Sequence, residues 1–267
     1  MEVTVMNKHN LHARLFIGTV LLLMYIPIGS LVFFSFNESK SLTRFTGFSM
    51  QWYVKLFESE QIMHAVYTTL LTAIIATGFA TVLGTLAALA LSRSKNVLRE
   101  ITLNLNNIPI VNPEIVTAIS LFVLFGAIQL ERGWFTMLLA HIAFCTPYVL
   151  LTVYPKVRQL DPHLADAAYD LGATPLLTLW KVILPQIKVG MMAGAAIAFT
   201  MSFDDFVISY FASSGSAVKN ISIYLYTLKR GVEPTINALS TIIILAIGLK
   251  ITYDMLKQNK RMVDDER

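Results

Sequence analysis

The sequence predicts an all-α, polytopic membrane protein with six transmembrane helices and both termini in the cytoplasm. Three observations predict it. Of 267 residues, 55% are apolar and only 14% charged, a balance that soluble domains do not show. The apolar residues gather in runs of about 20 or more, the length a helix needs to cross the hydrocarbon of a bilayer. Lys and Arg fall unequally on the two sides of those runs, as topology requires.

Residues 1–63 hold a short polar head with Lys8, His9, His12 and Arg14, a first span over 15–36, and an outer segment. That span is too long for a cleaved signal peptide and lacks a small-residue cleavage site, so it reads as an uncleaved signal anchor. In the outer segment Phe48, Trp52, Tyr53, Leu56 and Phe57 recur at helical spacing. They predict a helix lying at the interface with its aromatics at headgroup level.

Residues 64–256 hold five further spans, and 257–267 form a charged tail. The second span, 64–91, carries Thr72, Ala76, Gly78, Ala80 and Gly84, a small-residue face suited to close helix packing in lipid. The third, 101–128, is interrupted by Pro109 and Pro113. The fourth, 134–154, should kink at Pro147. The fifth runs over 189–211, an outer loop of roughly 24 residues follows, and the sixth covers 236–256.

Counting cations orients these spans. Of the 21 Lys and Arg, 14 fall on the side that holds the termini and the 155–188 loop. Lys40, Arg44, Lys55, Arg132, Lys219, Lys229 and Arg230 make up the remainder. The excess places the termini and that loop in the cytoplasm. The formal charge of +4 is therefore a topology signal and gives no ground for a nucleic-acid partner. The single Cys145 permits no internal disulfide. The five histidines show no metal-ligand spacing, and His141 with Cys145 reads as a packing pair. No phosphate-cradling G-x-x-x-x-G-K-[ST] occurs, so nucleotide chemistry is not expected of this chain.

The cytoplasmic loop has the clearest punctuation. Asp161 and Pro162 predict a helix start, with the carboxylate as N-cap and proline at N1. Gly172 stands where that helix should stop in a left-handed conformation. Thr174-Pro175 opens a second short helix, which Pro185 should end. Leu164, Ala168 and Leu171 fall on one helical face, with small alanines alongside that let a partner approach closely.

Three carboxylates remain inside the lipid. Glu114, Asp204 and Asp205 lie in spans 3 and 5, whose interiors hold no Lys or Arg. An Asp at mid-membrane costs about 2.5–3.5 kcal/mol on insertion scales, so each needs a cavity or a partner. Asn112 is expected to cap a half-helix restarting at Pro113, putting Glu114 in its first turn. The helical rise places Glu114 and Asp204 roughly 20 Å from the cytoplasmic side, in the outer half of the membrane. Glu114 reads either as a cap or as a substrate contact. Asp204 and Asp205 point about 100° apart, so only one is expected to face a path. Tyr224, Tyr226 and Lys229 in the outer loop are candidates for a gate or for a plain interfacial loop. Carboxylates without buried cations favour a cationic substrate over sulfate, phosphate or molybdate.

The loop resembles the signature of binding-protein-dependent ABC importer permeases: Glu-Ala-Ala, three residues, Gly, nine residues, Ile-x-Leu-Pro. Asp166, Ala167 and Ala168 take the first places, Gly172 is in register, Val182 replaces Ile, and Leu184 and Pro185 match. VNPEIVTAISLFVLFG, HIAFCTPYVLLTVYPKVRQLD, FTMSFDDFVISYF and KRGVEPTINALSTI resemble the permease subunits of spermidine/putrescine ABC importers over most of the chain. In that family the position of Glu114 is more often Asp. The resemblance implies the type I ABC importer permease fold, a non-catalytic subunit, and alternating access driven through the loop. It implies four kinds of partner: the lipid bilayer, a second permease, two ATPase subunits holding ATP and Mg, and an extracytoplasmic polyamine-binding protein. No cofactor is expected on this chain. A permease for another cationic or metal-chelate substrate would reuse the same carboxylates. An autonomous secondary transporter or membrane enzyme is the reading from another class.

Overall fold

In the computed structural model, residues 6–228 and 234–265 are described, and they are helical throughout apart from connecting turns and one isolated bridge, Asn37 to Phe48. Two units divide the chain: residues 1–63 with 228–267, and residues 64–227.

In the first unit, α1 (Met6–Ser35) packs against α12 (Pro234–Asp265), which also receives α2 (Gln51–Glu58). α1 exposes Phe16, Leu22 and Met24, a surface that only lipid or another chain satisfies. Asn37, fully buried, organises the turn after α1. Its amide donates to Ser41 O at 2.8 Å and Arg44 O at 2.9 Å, and its Oδ1 accepts from Thr46 N at 2.8 Å. Its carbonyl accepts from Trp52 Nε1 at 2.5 Å.

The expected interfacial helix is therefore split. Trp52 and Leu56 are buried, at 4% and 1% exposure, whereas Phe48 and Phe57 face outward. α12 covers one side of α2, so the aromatic residues do not share a headgroup-level face.

The second unit is built on α3 (Glu60–Ser92), α4 (Asn96–Val111), α5 (Glu114–Ala127), α6 (Trp134–Arg158), α9 (Leu184–Asp204) and α10 (Val207–Ala212). α6 is the central element, burying Met137, His141, Cys145, Val149 and Val153. Ala73, Ala76, Ala80 and Ala88 of α3 are fully buried, as are Ile187 and Ala198 of α9. Small side chains at three- and four-residue spacing let backbones approach, which replaces the hydrophobic drive that lipid removes. Trp134 Nε1 donates to Thr72 Oγ1 at 3.0 Å, tying the start of α6 to α3.

Among the described residues, four helices are long and apolar enough to cross a membrane: Ala13–Ser35, Glu60–Ser92, Trp134–Arg158 and Pro175–Asp204. The third expected span is the pair α4 and α5, bent by 105° at a two-residue break. The sixth lies on α12, which holds the apolar stretch Pro234–Lys250 among its described residues.

Two expected boundaries differ. Pro185 does not end a helix. α8 (Pro175–Thr178) passes through a π turn, Leu179–Ile183, straight into α9. The wider turn accommodates a residue that has no N–H to give to the ladder. The fifth span was expected to continue to residue 211, but it breaks at Asp205, whose backbone is extended (φ −60°, ψ 132°).

Candidate functional site

The cytoplasmic loop is built as two short helices around a glycine corner. Asp161 accepts from His163 N at 2.9 Å through its side chain, but the cap position falls at His163 rather than at the expected Asp161, so α7 begins at Leu164 and ends at Asp170. Gly172 adopts φ +81°. Its N–H bonds Tyr169 O at 2.8 Å, and Ala173 N bonds Ala168 O at 3.0 Å. That pair is the Schellman closure, which needs the left-handed residue at this position. Thr174 then caps α8 by accepting from Leu177 N, with Pro175 at N1.

The single face expected of Leu164, Ala168 and Leu171 is divided. Ala168 turns inward at 8% exposure, while Leu171 stands 90% exposed. Leu176 and Trp180 are exposed beyond it. Asp166, Ala167 and Pro185 are exposed and Leu184 is half-buried. A cleft of about 510 Å³, lined by Arg93, Arg158, Asp161, Tyr169 and Thr178, separates the loop from the ends of α3 and α6.

The second constellation joins two helix breaks. α4 stops at Val111, Asn112 closes it through its N–H to Ile108 O, and α5 restarts at Glu114. The break is where the sequence puts it, but Asn112 caps the outgoing helix; its side chain makes no bond to the first turn of α5. α10, the short helix after the Asp205 break, packs along α5. Breaks in two spans therefore face one another, a construction that recurs where membrane proteins handle ions and polar solutes.

The three carboxylates separate at this junction. Asp205 is buried at 4% exposure. Its Oδ1 accepts from Ile208 N at 3.1 Å, and its Oδ2 from Ser209 N at 2.7 Å and Ser209 Oγ at 2.6 Å. It caps α10 and leaves no free oxygen for a passing ligand. Asp204 is exposed, and its carbonyl accepts from Ser222 Oγ at 3.3 Å. Glu114 is exposed at the start of α5.

Tyr226, on α11 (Ile221–Tyr226), is 66% exposed, with its ring tilted against Phe206 at 4.9 Å and edge-to-face with Tyr210 at 5.6 Å. Tyr224, on the same helix, is half-buried. Lys229 lies outside the described residues.

His141 is the residue that sequence reasoning missed. It was read as packing, yet its Nδ1 meets Ser202 Oγ at 2.6 Å, and its Nε2 meets Ser209 Oγ at 2.8 Å and Asp205 Oδ2 at 3.3 Å. A signal was available: Ser202, Asp205 and Ser209 recur at helical spacing, and buried polar side chains are as a rule hydrogen-bonded. Cys145 does behave as a packing residue, buried with its thiol on Ala198 O.

Residues 80–262 match the family described as the binding-protein-dependent transport system inner membrane component. The chain is 37% identical to the putrescine transport system permease protein PotI of Escherichia coli K12, covering 91% of this chain and 90% of that one. It is 34% identical to the spermidine/putrescine transport system permease protein PotC of the same strain, over 92% and 93% of the two chains. A subunit from the crystal structure of a bacterial ABC transporter that imports the acidic polysaccharide alginate superposes with a TM-score of 0.71, covering 97% of this chain and 98% of that one at 14% identity, so the fold is shared where the sequence is not. The chain belongs to the family of binding-protein-dependent transport system inner membrane components.

Proposed function

We propose that this chain is a permease subunit through which an ATP-driven importer carries polyamines, spermidine or putrescine, across the cytoplasmic membrane of a bacterium. The observation that carries the reading is the pair of opposed helix breaks, which present two exposed carboxylates, Glu114 and Asp204, where spans 3 and 5 hold no Lys or Arg. A polycation leaving its binding protein gives up acidic and aromatic contacts. Two weak acidic contacts replace some of these without trapping it. The relatives named for putrescine and spermidine support the same substrate class.

In this proposal the chain pairs with a second permease, receives substrate from an extracytoplasmic binding protein, and rests on two ATPase subunits. Those subunits hold ATP and Mg, and this chain holds no cofactor. The exposed crown of Leu171, Leu176 and Trp180, together with the signature residues Asp166, Ala167, Ala168, Gly172, Leu184 and Pro185, forms the contact that transmits closure. Both termini lie in the cytoplasm by the excess of Lys and Arg on that side. Tyr224 and Tyr226 stand at the outer entrance.

Uptake of radiolabelled putrescine and spermidine decides the matter. It is measured in cells that carry the whole transporter, with this chain present or deleted and sulfate uptake as control. Loss of polyamine uptake alone is expected. Unchanged polyamine uptake in the deletion strain, with no other polyamine importer present, overturns the assignment.

A further inference from the structure

The imidazole of His141 spans the broken helix. Its Nδ1 bonds Ser202, on α9 before the break, and its Nε2 bonds Ser209, on α10 after it. The hydrogen bonds fix the direction of the Nε2 contact. Ser209 Oγ has one proton and gives it to Asp205 Oδ2, and it already accepts from Asn220 Nδ2 at 2.8 Å. His141 Nε2 must therefore be the donor to Ser209. Asn220 also donates to Asp205 O at 3.0 Å and accepts from Ile223 N at 2.8 Å, fastening the start of α11 to the same point. None of these five side chains is among the unsatisfied buried groups of the described residues. A fully satisfied buried network specifies one arrangement, whereas a partly satisfied one does not.

We propose that His141 is the positioning residue of the transport path. A rigid ring sets the separation of α9 from α10, keeps Asp205 inside as a cap, and so leaves Asp204 as the carboxylate that meets substrate. Asn220 transmits the same position to α11, which carries Tyr226 onto Phe206 and Tyr210. His141 itself is 1% exposed and touches nothing that moves through the path. This inference rests on the proposed function, because it assumes that Asp204 meets a cationic substrate.

The test uses the complete transporter in proteoliposomes and reads polyamine imported per ATP hydrolysed. Variants are H141L, H141Q, D204N and the double variant H141L/D204N. Loss of one hydrogen bond to a charged group corresponds to a fall of about tenfold in that ratio for H141L. H141Q retains a donor near the Nε2 position, so its loss is smaller. Because His141 acts through Asp204, the double variant is expected to be no worse than D204N. A purely structural His141 gives instead a double loss equal to the product of the single losses, and that result overturns the proposal. Parental ratios in H141L and H141Q beside an impaired D204N also overturn it and leave the proposed function standing. A parental D204N removes Asp204 from the path and takes the inference with it. If H141L is not recovered in the complex, H141Q and S202A carry the same comparison, each alone and with D204N.

Discussion

A side chain on Gly84 would have to occupy the place of Val149: a Cβ built there comes within 2.8 Å of the Val149 Cβ and Cγ1. The same Val149 Cγ1 would lie 3.2 Å from a Cβ built on Gly194 of α9. One branched residue of α6 is thus seated against glycines of both α3 and α9. Gly84→Val forces these helices apart and is expected to cost about 1–3 kcal/mol, the usual range for overpacking. Gly78, which the sequence placed on the same face, has nothing within 4 Å of a built Cβ. Gly78→Ala should leave the thermal unfolding temperature of the detergent-purified complex unchanged while Gly84→Val lowers it. Equal unfolding temperatures for the two variants would show that α3 packs by another face.

Gly172 is constrained by its backbone rather than by its neighbours. No atom lies within 4 Å of a built Cβ, but φ is +81°. Gly172→Val therefore pays only the left-handed penalty, about 1–2 kcal/mol, which the short loop helices cannot spread over many residues. Binding-protein-stimulated ATP hydrolysis is expected to fall in Gly172→Val and to stay closer to parental in Gly172→Asn, because Asn tolerates this conformation. The complex should still assemble in the membrane. Parental ATPase stimulation in Gly172→Val would mean that the corner does not carry coupling.

Trp52 is held by burial and by a single hydrogen bond. Trp52→Ala removes a ring at 4% exposure, a change of about 3–5 kcal/mol. Trp52→Phe keeps most of the apolar area and loses the N–H that Asn37 O accepts, so about 1–3 kcal/mol is expected. Phe57→Ala, on the exposed side of α2, should change little. Denaturation of the purified protein ranks the three, and a Phe57→Ala loss equal to that of Trp52→Ala would restore the interfacial helix that the sequence suggests.

What the sequence revealed and what it hid follow from the range of each interaction. Gly172, Thr174 and Pro175 were legible because caps and left-handed corners are decided within four residues. The break before Glu114 was legible because proline acts locally. The Asp205 break was not, since no Pro or Gly marks it; the cost of an extended residue there is met by Ser209, Asn220 and His141, the last two far from it in sequence. Pro185 misled for a related reason, because a π turn placed just before it keeps the helix going. The role of Trp52 depended on α12, nearly two hundred residues away, and a periodic pattern carries no information about which partner covers it.

The three membrane carboxylates should respond to neutralisation in different ways. Asp205 accepts from two backbone N–H groups and from Ser209 Oγ, so Asp205→Asn weakens the cap of α10 and turns an acceptor into a donor beside other donors. A loss of about 1.5–3 kcal/mol in stability is expected, with transport lost as a consequence. Glu114 begins α5 from the exposed side. Glu114→Gln keeps the shape and hydrogen-bonding capacity but removes the charge. Its expected effect is a fall of about tenfold in polyamine uptake, roughly the loss of one charge-assisted contact, with thermal stability near parental. Glu114→Asp retains the charge on a shorter stem and should fall between Glu114→Gln and the parent. Uptake and unfolding temperature measured on the same preparations separate the two classes of acid. A Glu114→Gln protein that transports normally would make Glu114 a helix-terminal residue only, since a dipole partner at an exposed helix start has no reason to govern the rate at which a cation passes.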